Sequence, residues 1–69
     1  MNQMYDYIYV IEYVGESGAI YEYDRDKWLN VAVALAERLR RDHDAPIVQI
    51  RVIYPDKTNW IVWSAKRKD

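Results

Sequence analysis

The chain opens with two short runs of strand character separated by a turn. Tyr5 to Val14 is rich in β-branched and aromatic residues, and a second such run extends from Ala19 to Tyr23. Between them stands Gly15-Glu16-Ser17-Gly18, a composition typical of a reverse turn. The pattern predicts a β-hairpin at the start of the chain.

The pattern then changes from alternation to helical spacing. Apolar residues recur at i, i+4, i+7 and i+11, at Trp28, Ala32, Leu35 and Leu39. Asp24 or Asp26 can cap the start of this helix, and Pro46 ends it. We expect the stripe to face a sheet.

Two further runs, Ile47 to Tyr54 and Trp60 to Ala65, predict a third and a fourth strand around a turn at residues 55–59. The element order is therefore ββαββ. A right-handed crossover predicts an α+β fold with a four-stranded antiparallel sheet, order 2-1-3-4, and one helix across one face. We expect one domain over residues 1–69, with a frayed end at 66–69.

Both faces of the predicted hairpin carry apolar groups. Pairing Val14 with Ala19 assigns one set to the helix-covered side, namely Ile8, Val10, Val14, Tyr21 and Tyr23, together with Val48, Ile50 and Val52. The other side then carries Tyr5, Tyr7, Tyr9, Ile11, Tyr13, Ile20 and Glu22. We expect this second set to be bare in a monomer, which is unusual for so large an aromatic patch.

The helix also has more apolar residues than one sheet contact requires. Eight of the nine residues from Trp28 to Ala36 are apolar, whereas a helix on a sheet needs only a stripe. The residues left on a flank are Leu29, Val33 and Ala36, and we predict that they form a homodimer interface.

Composition supports a protein that acts through a surface. The chain has seven tyrosines, three tryptophans and no phenylalanine, and Tyr and Trp combine an apolar body with a polar tip. Residues 1–26 hold six acids and one base, a balance of −5, and residues 27–69 hold nine bases and five acids, a balance of +4. These charges are either ordinary solvated groups or an acidic hairpin that meets a basic partner.

Residues that could support catalysis are few. The single histidine, His43, lies between two aspartates at the predicted helix end, and Ser17 and Ser64 have no histidine near them in sequence. Cysteine is absent. We expect no enzyme activity, no cofactor and no metal. Without a signal-peptide pattern or a long apolar run, we also expect no membrane association and a cytoplasmic location.

Two binding modes remain open for the tyrosines besides a dimer interface. Tyrosines on an open sheet, near Arg51 and the basic end Lys66-Arg67-Lys68, resemble a stacking platform for single-stranded nucleic acid. The tyrosine-bearing hairpin is acidic, however, and would repel phosphates. This favours the reverse arrangement, in which the protein occupies the DNA-binding groove of another protein.

A short resemblance points the same way. The segment Gly18-Ala19-Ile20-Tyr21-Glu22-Tyr23 is similar to a Gly-x-x-Tyr-Glu-Tyr stretch of the small dimeric uracil-DNA glycosylase inhibitors of podovirus-type phages. Ile47 to Val52 resembles the third strand of that family, and the element order agrees. The resemblance implies a homodimeric DNA mimic acting in the host cytoplasm, with Glu22 between Tyr21 and Tyr23 on the functional surface.

The sequence thus predicts an inhibitor of a host DNA-processing enzyme, first of all uracil-DNA glycosylase. The residues predicted to bind the partner are Glu22, Tyr21, Tyr23, Tyr7, Tyr9, Tyr13 and Asp24. The alternatives are a single-stranded nucleic-acid-binding protein and another phage inhibitor, directed at a CRISPR or restriction nuclease.

Overall fold

The computed structural model describes residues 7–67 and has one helix packed on a four-stranded antiparallel sheet. In chain order the elements are β1 (Ile8–Val14), β2 (Ile20–Asp26), α1 (Leu29–Asp42), β3 (Ile47–Ile53) and β4 (Asn59–Lys66). The strands lie in the order β2-β1-β3-β4, with β2 and β4 at the two edges. The α+β fold, the strand order and the antiparallel pairing predicted from the sequence are confirmed.

The loop between β1 and β2 is one residue longer than the predicted turn. The Gly15 amide donates to the Ala19 carbonyl at 2.8 Å, and the Gly18 amide donates to the Gly15 carbonyl at 3.0 Å. Gly18 has a φ of 90°, which only glycine adopts without strain. Val14 consequently pairs with Ile20, so the predicted pairing of Val14 with Ala19 is wrong.

Both edge strands contain a bulge. The pairing of β1 with β2 shifts between Ile11 and Glu12, which leaves Tyr23 as the extra residue of β2. The pairing of β3 with β4 shifts between Ile50 and Arg51, which leaves Val62 as the extra residue of β4. A bulge bends its strand and moves the later side chains to the opposite face of the sheet.

The helix covers the face of β1 that was predicted to be bare. The buried core unites Ile11 of β1 and Val48 and Ile50 of β3 with α1, and Tyr9 and Tyr13 pack half-buried against it. The predicted positions of Val48, Ile50 and Val52 are right, since all three are buried. The predicted positions of Ile8, Val10 and Val14 are wrong, since they alternate with Ile11 along β1 and face the open side.

The sheet-facing stripe of α1 differs in part from the predicted one. Its buried residues are Ala32, Ala36 and Leu39. Trp28 is 63% exposed and precedes the first turn, where its amide donates to the Asp26 carboxylate at 2.9 Å. Ala36 is fully buried against the sheet, so its assignment to a dimer flank is wrong.

The other two predicted flank residues lie in different environments. Val33 is half-buried against the core, and Leu29 is 42% exposed. The helix ends at Asp42 with His43 as its C-terminal cap, ahead of Pro46. None of the helical structure in residues 7–67 has the length and apolar character needed to cross a membrane.

The open face has its own buried residue. Val10 is only 2% exposed although no helix lies over it. In the register it stands between Arg25 of β2 and Arg51 of β3. Arginine side chains commonly lay their aliphatic stems over apolar surface, and we attribute the burial of Val10 to these two stems.

The basic end of the chain is held to the fold where the structure describes it. Lys66 is the last residue of β4, and the Arg67 amide donates to the Pro46 carbonyl at 2.8 Å. The Arg67 guanidinium donates to the Glu16 carboxylate at 3.0 Å. Residues 66 and 67 therefore differ from the frayed end that the sequence predicts.

Candidate functional site

The strand β2 forms an acidic edge of the sheet, and we use that name for residues 20–26. Every residue from Ile20 to Arg25 is exposed. Acidic residues occupy every second position in the later part of the strand, at Glu22, Asp24 and Asp26. Glu22 pairs with Glu12 of the open face, and Asp24 pairs with Ile11 of the helix-covered face. Negative charge is thus presented on both sides of the edge.

Glu22 is held in a two-point ion pair. Arg25 donates from Nε and Nη2 to the two Glu22 carboxylate oxygens, at 2.7 and 2.6 Å. These hydrogen bonds, more than the charge of Arg25 itself, hold the pKa of the Glu22 carboxyl below its ordinary value and raise the pKa of Arg25. Both side chains are about half exposed, so a partner can still reach the carboxylate.

Two tyrosines precede and follow Glu22 in β2, and each contacts another ring on the helix-covered side of the sheet, whereas Glu22 lies on the open side. Tyr21 is 48% exposed and stacks on Tyr13, with ring centroids 5.2 Å apart and an interplanar angle of 26°. Tyr23, the bulge residue, is 38% exposed and meets the His43 ring edge-on at 6.2 Å. Rings held in place lose little side-chain entropy when a partner binds.

Of the remaining predicted partner-binding tyrosines, Tyr13 supports Tyr21, and Tyr7 and Tyr9 do not join this group. Tyr9 and Tyr13 pack half-buried against the core beneath the helix. Tyr7 lies at the far end of the sheet, in edge contact with Tyr9 at 5.5 Å and with Tyr54 at 5.6 Å. The pKa of the Tyr9 phenol is raised, mainly by burial and secondly by the neighbouring Tyr7. Tyr5, also predicted on the bare face, lies outside the described residues.

The structure therefore brings Tyr21, Glu22, Tyr23 and Asp24 together at the acidic edge, with Tyr13 behind them. It separates Tyr9 from that group because Tyr9 pairs with Asp26, at the opposite end of β2. Tyr7 precedes β1 and contacts Tyr9, so it also lies away from the group. A continuous tyrosine platform on the open face, as the single-strand alternative requires, is not present among residues 7–67.

A polar network at the centre of the open face is the feature that sequence reasoning missed. The Glu12 carboxylate accepts from Gln49 Nε2 at 2.8 Å and from Arg51 Nε at 3.2 Å, and Arg51 Nη1 donates to Asn59 Oδ1 at 2.7 Å. The predicted pairing of Val14 with Ala19 would put Glu12 and Glu22 on opposite faces, which is wrong, because the two are cross-strand partners on one face. Gln49 and Arg51 stand two positions apart in β3, and this polar alternation was the available signal.

The end of the sheet beside the helix C-terminus contains a cavity of about 350 Å³. Its charged lining combines Arg40, which pairs with Glu37 at 3.1 Å, and Arg67, which pairs with Asp44 at 3.5 Å. Mutual ion pairs satisfy these groups within the chain. No cluster of three or more potential metal ligands occurs in the described part of the chain.

Comparisons of the sequence with protein-family models and with curated proteins, and of the structure with solved structures, gave no match.

Proposed function

We propose that this protein binds, without catalysis of its own, the basic DNA-binding surface of a DNA-processing enzyme and blocks it. Uracil-DNA glycosylase is the first candidate partner. The single observation that carries the proposal is the acidic edge: an outer strand, exposed along its first six residues, with carboxylates at alternate positions and two fixed tyrosines among them.

The charge arrangement suits a basic groove. A DNA-binding groove is lined by cations that bind DNA phosphates. Complementary charge accelerates and orients the association of such a groove with a protein partner. Three acids against Arg25 give the acidic edge a net charge of −2 (1 − 3), although the whole chain carries only −1. A basic partner surface is therefore attracted to this strand, although the net charge of the whole chain is small.

The tyrosines supply contacts that charge alone does not. Tyr21 and Tyr23 present apolar ring surface on the helix-covered side of the acidic edge, where Asp24 also lies, and such rings are the usual anchors of protein interfaces. An apolar projection of a glycosylase, which normally enters the DNA duplex, would find these rings next to the charges that imitate the backbone. The resemblance of the Gly18–Tyr23 segment to the phage inhibitors supports this partner over other DNA enzymes.

The test is a uracil-excision assay on a bacterial glycosylase, titrated with the purified protein. Replacing Glu22→Gln together with Asp24→Asn removes two charges from the acidic edge with little change in shape. We expect inhibition to weaken about tenfold or more, because a lost charge contact at an interface costs roughly 2–5 kcal/mol when it is desolvated.

The matched control removes two charges elsewhere. Glu37→Gln together with Asp42→Asn changes the net charge by the same amount on the helix, at half-exposed carboxylates paired with arginines. Inhibition by this control should stay within about twofold of the wild type, since only weak long-range charge effects are altered. Equal loss in both variants would indicate a net-charge effect and would contradict recognition by the acidic edge.

A negative glycosylase result leads to a second measurement. The same three proteins are then assayed against a restriction nuclease and a CRISPR nuclease, and against labelled single-stranded DNA. Tight binding of single-stranded DNA that strengthens when the two acids are removed would reject the proposal in favour of the nucleic-acid-binding alternative.

A further inference from the structure

The strand β4 forms the second edge of the sheet and differs from the acidic edge in composition. It is eight residues long, and within residues 7–67 no strand pairs with its outer side. Three consecutive large side chains are exposed: Trp60 at 53%, Ile61 at 39% and Val62 at 41%. Its only charged residue is the last one, Lys66.

An edge of this kind needs a covering. Exposed backbone amides and carbonyls on a long apolar edge invite pairing with another strand, and proteins usually prevent this with charges. β2 follows that rule, because four of its seven residues are charged, from Glu22 to Asp26. β4 has no charge in its first seven residues.

The bulge at Val62 makes β4 complementary to a second copy of itself. Through β3, the register places Trp60 and Ala65 on the helix side of the sheet, and Ile61 and Ser64 on the open side. In an antiparallel pair of two β4 strands, centred between Val62 and Trp63, each Trp60 stands opposite Ala65 and each Ile61 opposite Ser64. Side chains of the same face thus meet, with a large one against a small one.

The helix leaves room for this pairing. α1 lies over β1, β2 and β3, and most of β4 extends beyond it. Trp60 therefore stands uncovered beside the helix, in ring contact with Tyr54 at 5.1 Å. In the paired form, Trp60 and Trp63 of both copies line the bottom of a groove between the two helices. Their apolar burial then stabilises the dimer in addition to the backbone hydrogen bonds.

We propose that two copies of this chain pair through β4 into one continuous eight-stranded sheet. The charge pattern favours this pairing over the pairing of two β2 strands. Two β2 strands would bring together net charges of −2 each, whereas two β4 strands carry one lysine each, opposite Asn59 of the partner. The inference does not depend on the identity of the inhibited enzyme.

The test compares two substitutions that insert the same charge at equal exposure. Val62→Lys places two lysines beside the two-fold axis of the β4 pair, and Leu29→Lys alters the helix flank, at 41% and 42% exposure respectively. Light scattering behind a sizing column at about 50 μM should give twice the 8.3 kDa chain mass for the wild type and for Leu29→Lys. Val62→Lys should run as a monomer, with its dimer dissociation constant raised about tenfold or more.

A second readout separates loss of pairing from loss of folding. Hydrogen exchange of the β4 amides should slow as wild-type concentration rises, and should not depend on concentration in Val62→Lys, while the β1 amides remain protected in both. A monomeric wild type, dissociation by Leu29→Lys instead of Val62→Lys, or species that grow beyond a dimer through head-to-tail pairing of β2 with β4 would each overturn the proposal.

Discussion

At the scale of single residues, the ion pair between Glu22 and Arg25 gives a direct electrostatic prediction. The pKa of the Glu22 carboxyl is lowered mainly by the hydrogen bonds from Arg25. A lowered folded-state pKa stabilises the fold above the pKa of the unfolded chain, and this contribution is lost as the pH falls through the folded-state pKa. The pair is half exposed, so the effect on stability is small.

The measurement is an NMR titration of the Glu22 side-chain carboxyl between about pH 2 and 7. Its midpoint should lie below that of an unperturbed glutamate, and Arg25→Gln should return it towards the ordinary value. An unchanged midpoint in Arg25→Gln would contradict the ion pair.

Two turn residues with positive φ give a matched pair of stability predictions. Gly18 has a φ of 90° and Lys57 a φ of 76°. Gly18→Ala should lower the free energy of unfolding by about 1 kcal/mol, because a Cβ atom is strained in this region although nothing lies within 4 Å of it. Lys57→Gly relieves the same strain and should raise that free energy by a few tenths to about 1 kcal/mol.

Urea unfolding followed by circular dichroism measures both changes. Stabilisation by Gly18→Ala, or clear destabilisation by Lys57→Gly, would show that the backbone conformation of that turn differs from the one described.

At the scale of elements, the helix face predicts an order of mutational costs. Leu39 is 1% exposed within the core, whereas Leu35 is only half-buried at its margin. Leu39→Ala should lower the free energy of unfolding by about 2–5 kcal/mol, and Leu35→Ala should lower it by less. Urea unfolding of the two variants tests the order, and a larger loss in Leu35→Ala would mean that α1 is rotated about its axis.

The helix and strands were predictable because each has a clear local pattern, but the face of β1 that meets the helix was not. β1 is a central strand, and its two alternating sets, Ile8 and Val10 on one side and Tyr9 and Ile11 on the other, are similarly apolar. Alternation alone cannot choose between two such sets. On the open face, Val10 is buried although no helix covers it, and it lies between two arginines in the register.

The candidate site was predictable only in part for a related reason. Tyr21, Glu22 and Tyr23 are adjacent in sequence and share one edge strand wherever the register falls. Grouping Tyr7 and Tyr9 with them required the pairing of β1 with β2, which depends on the five-residue loop and on the bulge at Tyr23. Neither feature has a distinct sequence signature here. Each matters because one added residue moves every later side chain to the other face of the sheet.

At the scale of the whole molecule, the two edges of the sheet make separate predictions that can be combined. In a dimer paired through β4, the strand order runs from one β2 to the other, β2-β1-β3-β4-β4-β3-β1-β2. Seven strand spacings then place the two acidic edges about 34 Å apart, at opposite ends of the sheet. Each acidic edge is complete within one chain, so the proposed function requires only one chain for each partner molecule.

We therefore expect a saturated complex to contain two chains of this protein and two molecules of the inhibited enzyme, measured by native mass spectrometry. Val62→Lys should instead give a complex of one chain and one enzyme, and its inhibition constant should stay within about twofold of the wild type, since the acidic edge is untouched. Removing the charges of Glu22 and Asp24 should weaken enzyme binding about tenfold or more and leave the dimer intact. Loss of inhibition in a folded, monomeric Val62→Lys would mean that the binding surface spans both chains, and that the acidic edge of one chain is not sufficient.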